Sequence, residues 1–205
     1  MTDTHTGTRE PRGWDGLAVA IGEVFSPPLL AAVVIGIVGW TSARPHWHGL
    51  LWGLVVLVLV CGLPYAVIIR GVRRGTYTDH HLHLRHQRPV PFAIAASIAL
   101  AGLVVSTIGG APRPLIALVV ASVAGLAATA GASTVWKMSV HSGVTAGSAV
   151  VAGIVLGPVG LLCGLVLLGL VGWSRVRLRA HTPAQVIVGA VVGASIAGFF
   201  FTLLR

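Results

Sequence analysis

Three polar stretches interrupt an otherwise apolar chain, and each carries residue types that handle phosphate. Residues 76–89 read TYTDHHLHLRHQRP, residues 137–143 read KMSVHSG, and residues 172–185 read GWSRVRLRAHTPAQ. Together they hold six of the nine histidines and five of the eleven arginines beyond the N-terminal tail, and Lys137 is the only lysine in 205 residues. Carboxylates are scarce: of five acids, four lie in the first 23 residues, and only Asp79 accompanies the polar stretches. A two-metal hydrolase, or a site that grips pyrophosphate through Mg²⁺, needs several carboxylates, so neither can be assembled here. What can be assembled is a phosphate site with no metal and no cofactor. Arginines would make bidentate contacts, helix N-termini would offer backbone N–H donors, and histidines would transfer protons or attack phosphorus.

Each residue also has a plainer reading. His141 and His181 suit a membrane boundary as interfacial side chains without chemistry. Arg175, Arg177 and Arg179 alternate, so they do not share one helical face; Arg177 and Arg179 fit headgroup anchoring as well as a site. The run HHLHLRH invites a metal, yet only Asp79 stands near it to complete a ligand set. A solvated loop in which Arg85 or His81 helps to bind phosphate, with Asp79 holding a neighbour in place, is the favoured alternative. Gln185 also fits as a polar residue of a first helical turn. Ser142, Thr145, Ser148 and the many glycines and alanines fit close helix packing, and no glycine-rich segment has the spacing of a phosphate-cradling loop.

The elements that must position these stretches are membrane spans. Hydrophobic residues make up 55% of the chain and charged residues 9%, with a mean hydropathy of +0.90. Crossing a hydrocarbon layer of ~30 Å takes about 20 apolar residues, and seven segments qualify: 26–43, 47–69, 90–110, 114–133, one leading from the 134–141 stretch to Gly157, 159–173, and one ending at Leu204. The apolar run broken by Gly157-Pro158 is too long for a single crossing and reads as a helix hairpin. Trp14, Trp40, Trp47, Trp136 and Trp173 fall near span ends, where interfacial tryptophans sit. Cys61 and Cys163 lie inside apolar runs as free thiols, without CxxC spacing. The expected fold is an all-α polytopic membrane helix bundle with about six to seven transmembrane helices. Residues 26–205 form the membrane domain, preceded by a polar tail over 1–25 whose last part extends the first helix or lies in the interface. That polar, mixed-charge start gives no expectation of a cleavable signal peptide.

The net charge of +9 does not indicate nucleic acid, because the basic residues lie in short loops between apolar segments. Counting crossings puts the tail, loop 70–89, stretch 134–141 and loop 174–183 on one face. That face holds eleven of the fourteen basic residues, leaving only Arg44, Arg113 and Arg205 on the other. The positive-inside rule assigns the rich face to the cytoplasmic side of the cell membrane.

Ser174-Arg175, five residues and then His181 resemble the third motif, Ser-Arg-x5-His-x3-Asp, of the type 2 phosphatidic acid phosphatase superfamily. MSVHSG resembles that family's second motif, Pro-Ser-Gly-His, with Ser139 and His141 retained. Arg88-Pro89 matches the end of its first motif, Lys-x6-Arg-Pro, with His81 at the lysine position. The chain is also similar to a variant subgroup, common in Gly/Ala-rich actinobacterial-style sequences, whose third motif ends His-Thr-x-x-Gln. The resemblance covers about residues 76–200. It implies His181 as nucleophile, forming a phosphohistidine, and His141 as the acid that protonates the leaving alkoxide and then activates water. Arg88, Arg175 and the backbone around Ser139 would cradle the phosphate oxygens, and Lys137 would supply the cation missing from the first motif. Gln185, in place of the family's aspartate, would accept the ring N–H of His181 without adding charge. The implied substrate is a membrane lipid phosphate: polyprenyl phosphate or diphosphate first, then phosphatidic acid or phosphatidylglycerol phosphate. Two other classes stay beside it. One is a lipid-phosphate binding or transport protein on the same fold with weakened catalysis. The other is a proton- or metal-coupled transporter, against which the clustering of charge at span ends counts.

Overall fold

A computed structural model describes residues 13–79, 84–87 and 89–205. Among the described residues helices are the only regular secondary structure, joined by short turns and loops. The order is α1 (Gly13–Val24), α2 (Pro27–Ser42), α3 (His46–Leu57), a π-helical turn (Val58–Gly62), α4 (Leu63–Arg73), a short 3-10 turn (Arg85–Gln87), α5 (Pro89–Ile108), α6 (Arg113–Val135), α7 (Val140–Leu156), α8 (Pro158–Arg177) and α9 (Pro183–Leu204).

Proline and glycine set most boundaries. Prolines open α2, α6, α8 and α9 within their first two positions, where a missing N–H costs nothing. Gly157, with φ of +77°, both ends α7 and starts α8, giving the expected hairpin. Pro64 stands inside one continuous helix, His46–Arg73. Its ring would clash with the carbonyl four residues back, that of Val60. The π turn resolves the conflict: the Leu63 N–H reaches the Val58 carbonyl, five residues back, so the backbone widens where the proline needs room.

Among the described residues, five helices are long and apolar enough to cross a membrane, and a sixth crossing arises if α1 and α2, bent by 46°, count as one. The fifth expected span, α7, is helical but only 17 residues long, about 25 Å. It needs no greater length because it packs against α2, α8 and α9 and starts at Ser139, which is fully buried. Large apolar side chains such as Ile108, Val135, Val159 and Phe199 remain on the outside, a surface suited to lipid.

α7 and α9 run parallel and nearly touch: Gly143 faces Gly189 and Gly147 faces Gly193, so that a Cβ on Gly193 would run into the Gly143 backbone. Two small-xxx-small stripes thus let the backbones approach. A dry core of Ile35, Val38, Leu115, Val119, Val151 and Phe201 fills one end of the bundle.

Candidate functional site

The parallel pairing of α7 and α9 brings the second and third polar stretches together. The Ser139 N–H donates to the Gln185 carbonyl (3.2 Å), tying the start of one helix to the first turn of the other. Both helices therefore begin at the same level, and the positive ends of their dipoles meet there. Ser139 is the N-cap of α7; its Oγ accepts from the Ser142 N–H at 3.3 Å and lies 3.0 Å from the Ser142 hydroxyl. His141, in the first turn, is 7% exposed.

α8 ends in a Schellman turn that delivers His181. The Arg175 carbonyl accepts from the Ala180 and His181 N–H groups (3.0 and 3.2 Å), and the Val176 carbonyl accepts from Arg179 (3.0 Å). Arg179 takes the left-handed conformation at φ of 53°, where glycine is usual. The Lys137 ammonium donates to the Ala180 carbonyl at 2.8 Å, a strap from the second stretch onto the residue before His181.

Thr182 and Gln185 form a capping box at the start of α9. The Gln185 Oε1 accepts from the Thr182 N–H at 3.1 Å, which fixes the amide with its oxygen on this side. The same oxygen lies 3.2 Å from His181 Nδ1. An oxygen there can only accept, so Nδ1 carries a proton, which leaves Nε2 as the nitrogen with the lone pair when the ring is neutral. The side chain that caps α9 is therefore also the one that contacts His181 Nδ1.

Arg175 is 4% exposed, and its Nη2 donates to the Ser174 Oγ at 2.9 Å. Its Nε is buried and makes no hydrogen bond among the described residues. A buried guanidinium with spare donors is costly unless an anion answers it. One carboxylate near it escaped the sequence reading. α1 lies along α8: the Ser174 hydroxyl donates to the Ala18 carbonyl (2.7 Å), Arg177 pairs with Asp15 (2.7 Å), and Trp14 meets Trp173 edge to face at 6.4 Å. Gly22 packs so tightly on the guanidinium that a Cβ there would overlap it. Glu23, one residue on, is the charge that acts on Arg175. The missed signal was the stripe Asp15, Ala18, Gly22 at i, i+3 and i+7, small and acidic where α8 is basic.

Ser139, His141, Arg175, His181 and Glu23 line the polar end of a single cavity of about 690 Å³. The cavity continues between the helices past Ala31, Gly125 and Gly147, with an apolar wall, down to Leu118, Val151 and Ala197. Lys137 and Gln185 stand behind this lining as supports. Arg177 and Arg179 are exposed. Arg85 opens the 3-10 turn, which packs against α5 and α6; His81 and Arg88, the other first-stretch candidates, lie outside the described residues. Asp79 accepts from the Thr78 hydroxyl (3.2 Å), and Gln87 Oε1 accepts from the Thr78 N–H (3.2 Å) across the loop. Among the described residues, no three His, Cys, Asp or Glu side chains gather as a metal-holding group. Comparison with protein-family models, curated proteins and solved structures gives no match.

Proposed function

We propose that the chain is a metal-independent membrane phosphatase for a lipid-linked phosphate or diphosphate. One observation carries this: a nearly buried arginine with an unused donor, one histidine from α7 and one from the turn between α8 and α9 share the polar end of a largely apolar cavity. A ligand suited to that space is anionic at one end and hydrocarbon at the other.

His181 attacks phosphorus through Nε2; the P–N bond forms as the bond to the lipid oxygen breaks. His141, as the imidazolium, gives its proton to the departing oxygen. Neutral His141 then takes a proton from water, whose oxygen attacks phosphorus, breaks the P–N bond and releases inorganic phosphate. Arg175 and the first-turn amides of α7 hold the equatorial oxygens; one such donor is worth roughly 3–4 kcal/mol in a transition state. The eleven of fourteen Lys and Arg on this face support a site on the cytoplasmic side of the cell membrane, by the positive-inside rule.

The weakened-binder reading has one specific observation in its favour. Gln185 Oε1 is shared between His181 and the Thr182 N–H, so it orients the ring without balancing a positive charge. Phosphate release from polyprenyl and glycerolipid phosphates, in EDTA, separates the two. Release lost in His181→Ala, with an acid-labile phosphoenzyme trapped in wild type, supports the phosphatase. Binding of the same lipids without release by wild type supports the binder.

A further inference from the structure

We infer that the cavity beneath the histidines holds one hydrocarbon chain of the ligand lengthwise inside the bundle, and that the small residues Ala121, Ser122 and Gly125 of α6 leave the room that chain needs. The inference rests on the proposed function only in taking the ligand's head to be a phosphate.

Depth is the first argument. On α7 the lining runs from His141 to Val151 and on α6 from Thr129 to Leu118. Ten or eleven residues of helix rise about 15 Å, half of a ~30 Å hydrocarbon layer. The cavity is thus one leaflet deep, the length of an ordinary lipid tail whose phosphate sits at the interface. Its floor is the packed core, since Ile35, Leu118, Val151 and Ala197 belong to both.

The wall is the second argument. At about 690 Å³ the space lies within the usual range for ligand cavities, roughly 300–1,000 Å³. Below the histidines, aliphatic side chains dominate, and water there would find few partners. A Cβ built on Gly125 meets nothing within 4 Å, so the α6 backbone itself borders open space. The π turn contributes Val60 and Cys61 on the opposite side. The widening that accommodates Pro64 thus also shapes the wall. Charge fits the same occupant: Arg175 stands at the polar end with Glu23 and the two histidines, and no charged side chain lines the cavity beyond them.

Cys61 allows occupancy to be read without turnover. In full-length protein carrying Cys163→Ala, Cys61 is labelled with a membrane-soluble maleimide in the presence of butyl phosphonate, hexadecyl phosphonate or inorganic phosphate. Hexadecyl phosphonate is expected to slow labelling about tenfold or more, and the other two to leave it unchanged. Gly125→Leu and, independently, Ala121→Phe are expected to abolish that protection. They should also lower the ratio of hexadecyl to butyl phosphate hydrolysis by about tenfold, the worth of a methylene or two in an apolar pocket. Unprotected Cys61 in a protein that hydrolyses hexadecyl phosphate would overturn the internal tail and leave the phosphatase standing. Protection without hydrolysis would uphold the tail site and remove the phosphatase. Protection that persists in both folded variants would overturn the role of α6.

Discussion

The bundle has a packed end and a hollow end, and the same four helices build both. α2, α6, α7 and α9 contribute Val38, Leu115, Val151 and Phe201 to the dry core, then Ala31, Gly125, Gly147 and Gly193 to the cavity wall. Below the histidines the walls of the hollow end are mostly apolar, like the core, so hydrophobicity does not explain why one is filled and the other open; side-chain size does. Along α6 the order is RPLIALVV and then ASVAGLAATAGAS, bulky first and small afterwards. Small residues do two jobs here. On α7 and α9 they bring backbones into contact, whereas on α6 they leave room. The lesson is that a run of glycine and alanine in a membrane helix locates either a seam or a hole, and only the partner helix decides which.

The strongest way to break this comparison is to make the hollow end apolar throughout. Arg175→Met should lower kcat by about 10²–10³ on lipid phosphates, the cost of losing one transition-state donor. Arg175→Lys should not restore it, because an ammonium lacks the planar fork. Thermal stability should hold or rise, since a buried charge is gone. Equal loss of stability and turnover would mean that Arg175 only braces α1 against α8. Next in size is Phe201→Ala at the packed end. It should cost about 2–3 kcal/mol in unfolding measured in mixed micelles, somewhat below the ~3–5 of water-soluble cores because the separated helices stay in lipid. Gly125→Leu at the hollow end should cost less than about 1 kcal/mol by the same measurement, since its side chain enters existing space. Similar losses at the two sites would erase the distinction.

Much of this was legible in the sequence, for identifiable reasons. Pro27, Pro114, Pro158 and Pro183 announce helix starts, and Gly157 announces the hairpin, because their backbone restrictions act locally. Ser139, His141, Arg175, His181 and Gln185 stood out because polar residues at helix ends in an apolar chain need a reason. What could not be read depends on contacts distant in sequence. The docking of α1 on α8 pairs residues more than 150 positions apart, so Glu23 seemed remote from a site it lines. The π turn arises from a conflict between Pro64 and Val60 inside a helix that hydropathy alone treats as uniform. α7 looked like an ordinary span, although its role as a buried central helix excuses it from full length.

A third test sharpens the polar end itself. Gln185→Glu keeps the capping box and the contact with the Thr182 N–H, and places a formal charge beside His181 Nδ1. Turnover should rise about tenfold, because the carboxylate stabilises the imidazolium-like charge that builds as phosphorus bonds to Nε2. The measurement is single-turnover phosphate release at saturating lipid phosphate. An unchanged rate would show that ring orientation, which glutamine already provides, is all that position contributes.

The smallest expected effect concerns the turn that carries His181. Arg179 holds φ of 53°, which costs a residue with a Cβ roughly 1–2 kcal/mol. Glycine would remove that strain but lose about 0.5–1 kcal/mol to the greater freedom of its unfolded chain. Arg179→Gly should therefore stabilise the protein by only about 0.5 kcal/mol, read as a small rise in thermal midpoint. Turnover should stay within about twofold, because the Schellman bonds from Ala180 and His181 to the Arg175 carbonyl are made by backbone groups and do not need the arginine side chain. A larger drop would place the exposed Arg179 guanidinium among the groups that meet the phosphate and extend the polar end beyond the cavity. Stability gained with no drop would leave the strained arginine as a headgroup anchor, tolerated in a turn whose backbone alone aims His181.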